Sequence, residues 1–448
     1  MLKKITYILL IILFSFILSA CNLSRQAVSL PPTLTVPPAP VNTSPTPTPP
    51  PSPTPFPPTP EPTITSAPPT PTPTLVPTST PSLPSGPTIK RFAAGQQLAI
   101  TSIHMISETT GWAIGGLPSV GDHVLRTVDG GKTWSDVTPP ELAPTGDLRL
   151  SAEGFFQSVE TAWVTYDNQD RLVPAAPVVW WTLDGGKSWA ASQPLDVANL
   201  AEVYLVSDLQ FVDSQNGWLL AHVGAGMNHD YVVLFHSADG GQTWQRLLDP
   251  FTDGGIQSCY KNTLLFTDPS NGWLTGDCNA VMAGVFLFHT GDGGTTWDPV
   301  TLPEPAGKTG IFSDFNVGCN SDYPVFFSPQ DGMLAVKCNY FSEDPIRYEY
   351  YLFSTSDGGI TWSPEKYPGG AVIFFDPDSG LALGRDIYQT QDGGTTWTKF
   401  ATVNWDAQFS FISVDLGWAV ARSGDQIALV ATINGGKRWA ELQPLVGP

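Results

Sequence analysis

The 448-residue chain carries 41 acidic and 21 basic residues, a formal net charge of −20, and only 14% of its residues are charged, against about 25% in a typical soluble domain. Such acidity disfavours a nucleic-acid backbone or an anionic lipid surface as partner. The absence of long charged helical runs excludes coiled coils and helical bundles, and the abundance of Gly (42), Pro (44) and Trp (15) points to a turn-rich β protein.

Lys3 and Lys4 form a short basic start, Ile5 to Phe16 is an almost unbroken apolar run, and Leu18-Ser19-Ala20-Cys21 follows. This order predicts a secretory signal over 1–20. The run is marginal for a membrane span, and an uncleaved anchor is the alternative reading. Cys21 after Leu-Ser-Ala resembles a bacterial lipobox, which implies acylation of Cys21 and a protein anchored to the outer face of a bacterial membrane.

Residues 21–89 read as a tether. Residues 31–90 hold 24 prolines and 15 threonines. Pro lacks an amide donor and fixes φ, so neither helix nor sheet is expected there. An extended polyproline-type spacer of that length spans on the order of 150–190 Å.

Residues 90–448 repeat one unit seven times. The box [Ser/Thr]-x-[Asp/Asn]-Gly-Gly-x-x-Trp occurs with Asp129 and Trp134, Asp184 and Trp189, Asp239 and Trp244, Asp292 and Trp297, Asp357 and Trp362, Asp392 and Trp397, and Asn434 and Trp439. Asp accepts hydrogen bonds from nearby amides in a tight turn, the glycines permit positive φ, and the Trp packs back over the turn. A second motif precedes each box: Gly111-Trp112, Ala162-Trp163, Gly217-Trp218, Gly272-Trp273, Gly332-Met333, Gly380-Leu381 and Gly417-Trp418. Each unit therefore predicts strand, turn, strand, strand, box, strand. That is the pattern of a propeller blade, and the fold class is an all-β, seven-bladed propeller of four-stranded antiparallel blades. In the third strands Leu125, Trp180, Phe235, Phe288, Phe353, Tyr388 and Val430 alternate with mostly polar residues, so they are expected to face neighbouring blades. How the ring closes stays open at this point.

The box is identified as the Asp-box, or BNR repeat. Together with the Gly-Trp motifs it resembles the photosystem II stability/assembly factor family most, and sialidases, sortilin-type receptors and some glucanases more distantly. That resemblance implies a seven-bladed propeller that binds or assembles protein partners without catalysing a reaction. The chain departs from the family in its long tether and its acidity.

Four cysteines follow Cys21: Cys259, Cys278, Cys319 and Cys338. They allow three pairings. Their equivalent places in units four and five favour Cys259–Cys278 and Cys319–Cys338, each within one blade, and an exported location permits oxidation.

Catalytic patterns are weak. Gly130-Gly131-Lys132-Thr133 resembles the end of a phosphate loop, but Arg126 stands where the required Gly belongs. Arg171-Leu-Val-Pro174 is the nearest string to a sialidase arginine signature, and Arg347-Tyr348-Glu349-Tyr350 to its nucleophile. The six histidines lack metal-ligand spacing. No cofactor and no metal are expected. Loops on a rigid scaffold usually carry function, and the long second-to-third-strand connections 164–177, 221–233 and 339–350 offer Tyr166, Arg171, His229, Tyr231, Tyr340, Phe341 and Arg347 as partner-binding candidates. The leading expectation is a monomeric extracytoplasmic module that binds a protein through these rim loops. The alternative is a glycan-binding protein or a sialidase-like glycoside hydrolase.

Overall fold

The structure, a computed structural model, describes residues 91–448 apart from 118–120, 141–149, 169–176, 201–202, 227–228, 253–255, 257 and 279–283. The leader 1–20, Cys21 and the tether 21–89 lie outside the described residues.

The repeat becomes seven blades around a ring, spanning 99–136, 150–191, 205–248, 260–299, 317–366, 371–402 and 406–442. Each is an antiparallel four-stranded sheet taken in chain order, and blade five splits its first strand into Val317–Ser321 and Val325–Phe326.

The second strand of a blade shows why the ring holds. Gly111–Gly116 is buried along its whole length. Trp112 and Ile114 pack toward blade two, while Ala113 packs toward blade seven. A strand buried on both faces needs apolar residues at successive positions, which is what the sequence supplies after each Gly. Every neighbouring pair of blades has its own apolar core in this way. Of the third-strand residues, Leu125, Trp180, Phe235, Phe353 and Val430 are buried in these interfaces, and Phe288 and Tyr388 are partly buried against them.

The Gly of the Gly-Trp motif is a packing requirement. A Cβ on Gly217 would stand 2.5 Å from the Phe211 ring, and one on Gly272 would stand 2.6 Å from Phe266. The following Trp reaches the next blade. Trp163 stacks on Phe211 with ring centroids 3.8 Å apart, and Trp218 stacks on Phe266 at 3.7 Å. The Trp163 indole N–H donates to Gly240 O at 2.9 Å, and that of Trp218 donates to Gly293 O at 2.9 Å. Trp richness thus serves the blade-to-blade joints.

The four antiparallel strands of blade one, and those of blade seven, are each contiguous in the chain, and the C-terminal end adds a fifth strand to blade one. The Trp418 indole donates to Gly130 O, and Gln408 Oε1 accepts from the Ile103 amide while its Nε2 donates to Ile103 O. The strand Leu445–Val446 then adds in parallel to Thr133–Asp136, the outer strand of blade one. Residues 95–98 pair with its far edge through Gly95 N to Val446 O and Val446 N to Gln96 O, both 2.8 Å.

Cys259–Cys278 and Cys319–Cys338 are bonded, each inside one blade. Cys319 and Cys338 face each other in register between the first and second strands of blade five.

Candidate functional site

The propeller has two faces, and the box turns form one of them. In the box of blade one, Thr127 Oγ1 donates to Asp129 Oδ1 and accepts from the Gly131 amide, both at 2.9 Å. Asp129 also accepts from the Thr133 amide and hydroxyl at 2.9 and 2.7 Å. Gly130 and Gly131 hold φ of 78° and 89°, a region that favours glycine. The Gly130 amide donates to Thr109 O, which ties the box to the first turn of its own blade. The same bonds recur in the other boxes. Blade seven has Asn434 and Arg438 in place of Asp and Ser/Thr, and the Asn434 amide oxygen accepts only from the Thr432 hydroxyl and the Arg438 N–H. Trp134, Trp244, Trp297, Trp362 and Trp397 donate their indole N–H to the second box glycine. Trp189 reaches Val137 O of blade one instead, and the Trp439 indole N–H has no partner among the described residues. The Thr396 hydroxyl and amide hold Asp392 below the usual carboxylate range. Box carboxylates with their lone pairs engaged this way are turn fasteners.

The opposite face carries the second-to-third-strand hairpins and the connections between blades. The segments 221–233 and 339–350, expected to be loops, are largely strand. Gly217–Gly226 runs against His229–Ser237, and Gly332–Tyr340 runs against Arg347–Thr355. Alternation continues through both segments, and only the tips turn.

The predicted partner residues separate accordingly. Tyr166 is buried between blades one and two, so it presents nothing to a partner. Arg171 lies outside the described residues. His229 is exposed and stacks on Tyr231 at 6.1 Å. Tyr340 and Arg347 are a cross-strand pair with the guanidinium 3.6 Å over the ring, and Phe341 is exposed beside them at the hairpin tip. The structure therefore yields two groups, one on blade three and one on blade five.

Beside Arg347 stands Glu349. It accepts from Lys308 Nζ at 2.7 Å and from the Tyr340 and Tyr351 hydroxyls at 2.6 and 2.7 Å, and it pairs with Arg347 Nη1 at 2.8 Å. Burial works against its ionisation, but the Lys308 and tyrosine hydrogen bonds outweigh it and lower its pKa to about 2. A carboxylate engaged this fully has no capacity to take a proton from a nucleophile. The cluster fastens the 300–316 connection to the hairpin of blade five.

The third region is the central channel. Counting nine residues back from each Gly-Trp position gives Ser102, Glu153, Asp208, Thr263, Tyr323, Ala371 and Gln408. Ser102 pairs with Ile114, Glu153 with Thr165, Asp208 with Leu220, Thr263 with Thr275, Ala371 with Leu383 and Gln408 with Val420, all equivalent positions of the second strands. These residues form one tier of the innermost strands, acidic in blades two and three and smallest in blade six. Burial, with the Asp167 charge behind it, pushes Glu153 up to about 7. Burial beside Glu153 raises Asp208 well above the carboxylate range, and Asp208 Oδ2 is buried without a hydrogen-bond donor among the described residues. Other acidic residues are joints. Asp122 accepts from the Ala152 amide, Asp167 from Val206 and Asp230 from Lys261, each linking a blade to the next.

No family model matches this sequence. No curated protein matches it. Solved propellers do. The chain is similar to YCF48 bound to a D1 peptide, at 17% identity over 78% of this chain and 100% of that one, with a TM-score of 0.49. It is similar to YCF48 from Cyanidioschyzon merolae, at 17% identity over 77% and 98% of the two chains and a TM-score of 0.44. It is also similar to a puromycin-hydrolysing peptidase from Mycobacterium tuberculosis, at 13% identity over 80% of this chain and 56% of that one, with a TM-score of 0.50. That last likeness is one of fold alone.

Sequence reasoning missed the channel tier. Its signal was present as a charged residue three positions before the aromatic that ends a first strand, Glu153 before Phe156 and Asp208 before Phe211.

Proposed function

We propose that the protein is a membrane-tethered extracytoplasmic binding module that engages a protein partner through the hairpin face of blades three to five. The observation that carries this reading is a concentration of exposed apolar side chains in that sector, against the single Ile427 at the hairpin of blade seven. Phe315 is 67% exposed, Tyr260 51%, Tyr348 47%, Ile346 43% and Phe341 38%. Exposed aromatic anchors on a rigid scaffold are the usual core of a binding patch. On the box face the exposed apolar residues, Val128, Leu183, Ile360 and Ile433, stand singly in four different blades. The two disulfides fit an oxidising compartment, and Cys21 supplies the anchor. The test places a photo-crosslinking residue at Ile346 of the full chain in its native envelope. A dominant cross-linked protein is expected, and the triple variant Phe315→Ser, Phe341→Ser, Tyr348→Ser should lose it. An unchanged cross-link in that variant rejects the surface. Cys21→Ser should move the protein from the detergent phase to the aqueous phase.

The glycan reading keeps one specific support. Glu153 and Asp208 are neighbouring carboxyls in the channel, and Glu153 is protonated well into the neutral range. Glycoside hydrolysis uses a carboxyl pair with one member protonated. Release of reducing sugar from envelope polysaccharide by the wild-type chain and not by Glu153→Gln would transfer the assignment to that reading.

A further inference from the structure

Blade six is the shortest, with a first strand of only Ala371–Phe374, and its channel-tier residue is Ala371. The missing bulk leaves a slot of about 330 Å³ between blades five, six and seven. Its walls are apolar: Met333 and Leu352 from blade five, Val372 and Phe374 from blade six, Ala407 and Phe409 from blade seven. Three polar residues line it, Asp322, Tyr323 and Gln408. The Gln408 amide is committed to Ile103 on both its oxygen and its nitrogen. The Asp322 carboxylate and the Tyr323 hydroxyl have no hydrogen-bond partner among the described residues. The charge that acts on Asp322 is that of Lys337, whose ammonium stands 4.4 Å over the Tyr348 ring and forms no ion pair with Asp322 among the described residues.

A slot of this size is in the range of small-molecule sites. One unpaired carboxylate on an apolar wall selects a particular ligand chemistry. An anion is repelled. Among the described residues no group of three or more His, Cys, Asp or Glu is placed to hold a metal ion. A neutral apolar molecule leaves Asp322 desolvated and unpaired, which is costly. The protein around the slot already pushes the Asp322 carboxyl above its ordinary range, although the side chain stays exposed at the mouth, and an adjacent cation cancels that penalty.

We propose that this slot binds an organic cation, a primary ammonium carried on an apolar body, with the ammonium on Asp322 and the body against Val372, Ala407 and Phe409. The Tyr323 hydroxyl offers a second acceptor to the ammonium. The site is independent of the docking face on blades three to five. The same chemistry comes from a free amine or from a lysine side chain of a polypeptide that enters the channel.

The test uses phenethylamine, with phenethyl alcohol as its neutral counterpart and 3-phenylpropionate as the anion, titrated calorimetrically into the full chain in detergent. The amine should bind at least about tenfold more tightly than the alcohol, the size of one charge-assisted hydrogen bond, and the anion should not bind. Asp322→Asn should weaken the amine at least about tenfold and leave the alcohol unchanged. Ala371→Trp should exclude both by filling the slot. Asp322 is exposed, so its variant keeps its fold, which circular dichroism checks. Acetyl-Ala-Lys-Ala-amide separates the sources: tighter binding than phenethylamine, with the same dependence on Asp322, assigns the site to a polypeptide lysine, and weaker binding assigns it to a free amine. Equal affinity for amine and alcohol, amine binding that survives Asp322→Asn, or no binding at millimolar amine each overturns the proposal.

Discussion

Removal of residues 444–448 should weaken the propeller without opening it. Five backbone hydrogen bonds disappear: Gly95 N to Val446 O, Val446 N to Gln96 O, Leu98 N to Pro444 O, Gly447 N to Trp134 O and Leu445 N to Lys132 O. At a net contribution of about 0.5–1 kcal/mol each they amount to about 3–5 kcal/mol. Burial of the Val446 side chain adds about 1.5–2 kcal/mol. Release of the ordered segment returns roughly half of that total as chain entropy, so the expected net loss is about 2–4 kcal/mol. With an unfolding entropy of about 2.1 cal/mol/K per residue, that loss lowers Tm by about 3–5 °C in a domain of this size. Scanning calorimetry measures the shift, and hydrogen exchange at the Gly95 and Leu98 amides localises it. One cooperative transition should persist, because Trp418 to Gly130 and Gln408 to Ile103 still join blades seven and one. A Tm unchanged within a degree, with Gly95 and Leu98 still protected, would refute the reasoning.

Trp163→Phe keeps a ring on Phe211 and removes the hydrogen bond to Gly240 O together with part of a buried indole; the hydrogen bond alone accounts for a loss of about 1–2 kcal/mol in denaturant titration. A larger loss would mean that the indole volume matters more than its N–H. Cys319→Ser with Cys338→Ser opens a bridge of sequence separation 19 and should cost about 3 kcal/mol, and reductant should then have a smaller effect on unfolding than it has on the wild type. Glu349 has a folded pKa of about 2 against 4.5 for the free side chain, so its contribution is complete above about pH 4.5 and is lost as pH falls through about 2; Glu349→Gln should flatten the acid limb of the stability profile. Glu153 works in the opposite sense. Its folded pKa of about 7 lies above 4.5, so stability drains away as pH climbs between these values, and Glu153→Gln should be the more stable protein at pH 8.

The joints of the fold were written locally, which is why they could be read. A box of Thr127, Asp129, Gly130 and Gly131 closes on itself with bonds spanning two to four residues, so its chemistry is complete within an eight-residue window. The Cys319–Cys338 pairing was legible for a similar reason, since two units repeated the same spacing. The rest depended on relations between blades. Glycines and polar residues around Gly224 and Asn339 looked like loops, although cross-strand pairing carries the strands through them. Tyr166 looked like a rim residue because nothing local shows that it is buried in the apolar core between blades one and two. The channel tier and the slot beside Asp322 require the register of seven first strands at once, and no single window contains that.

Because every blade is continuous in sequence and the joints repeat, the chain is close to a circle that has been cut once, between blades seven and one. A circular permutant with residues 448 and 91 joined and new ends opened in the 300–316 connection should fold to the same ring. Leu445 and Val446 are what covers the outer strand of blade one, so without residues 444–448 that edge is bare. An unpaired edge of this kind is a template for another strand. A chain that lacks residues 444–448 should therefore associate with a second copy more readily than the full chain, edge to edge along Thr133–Asp136.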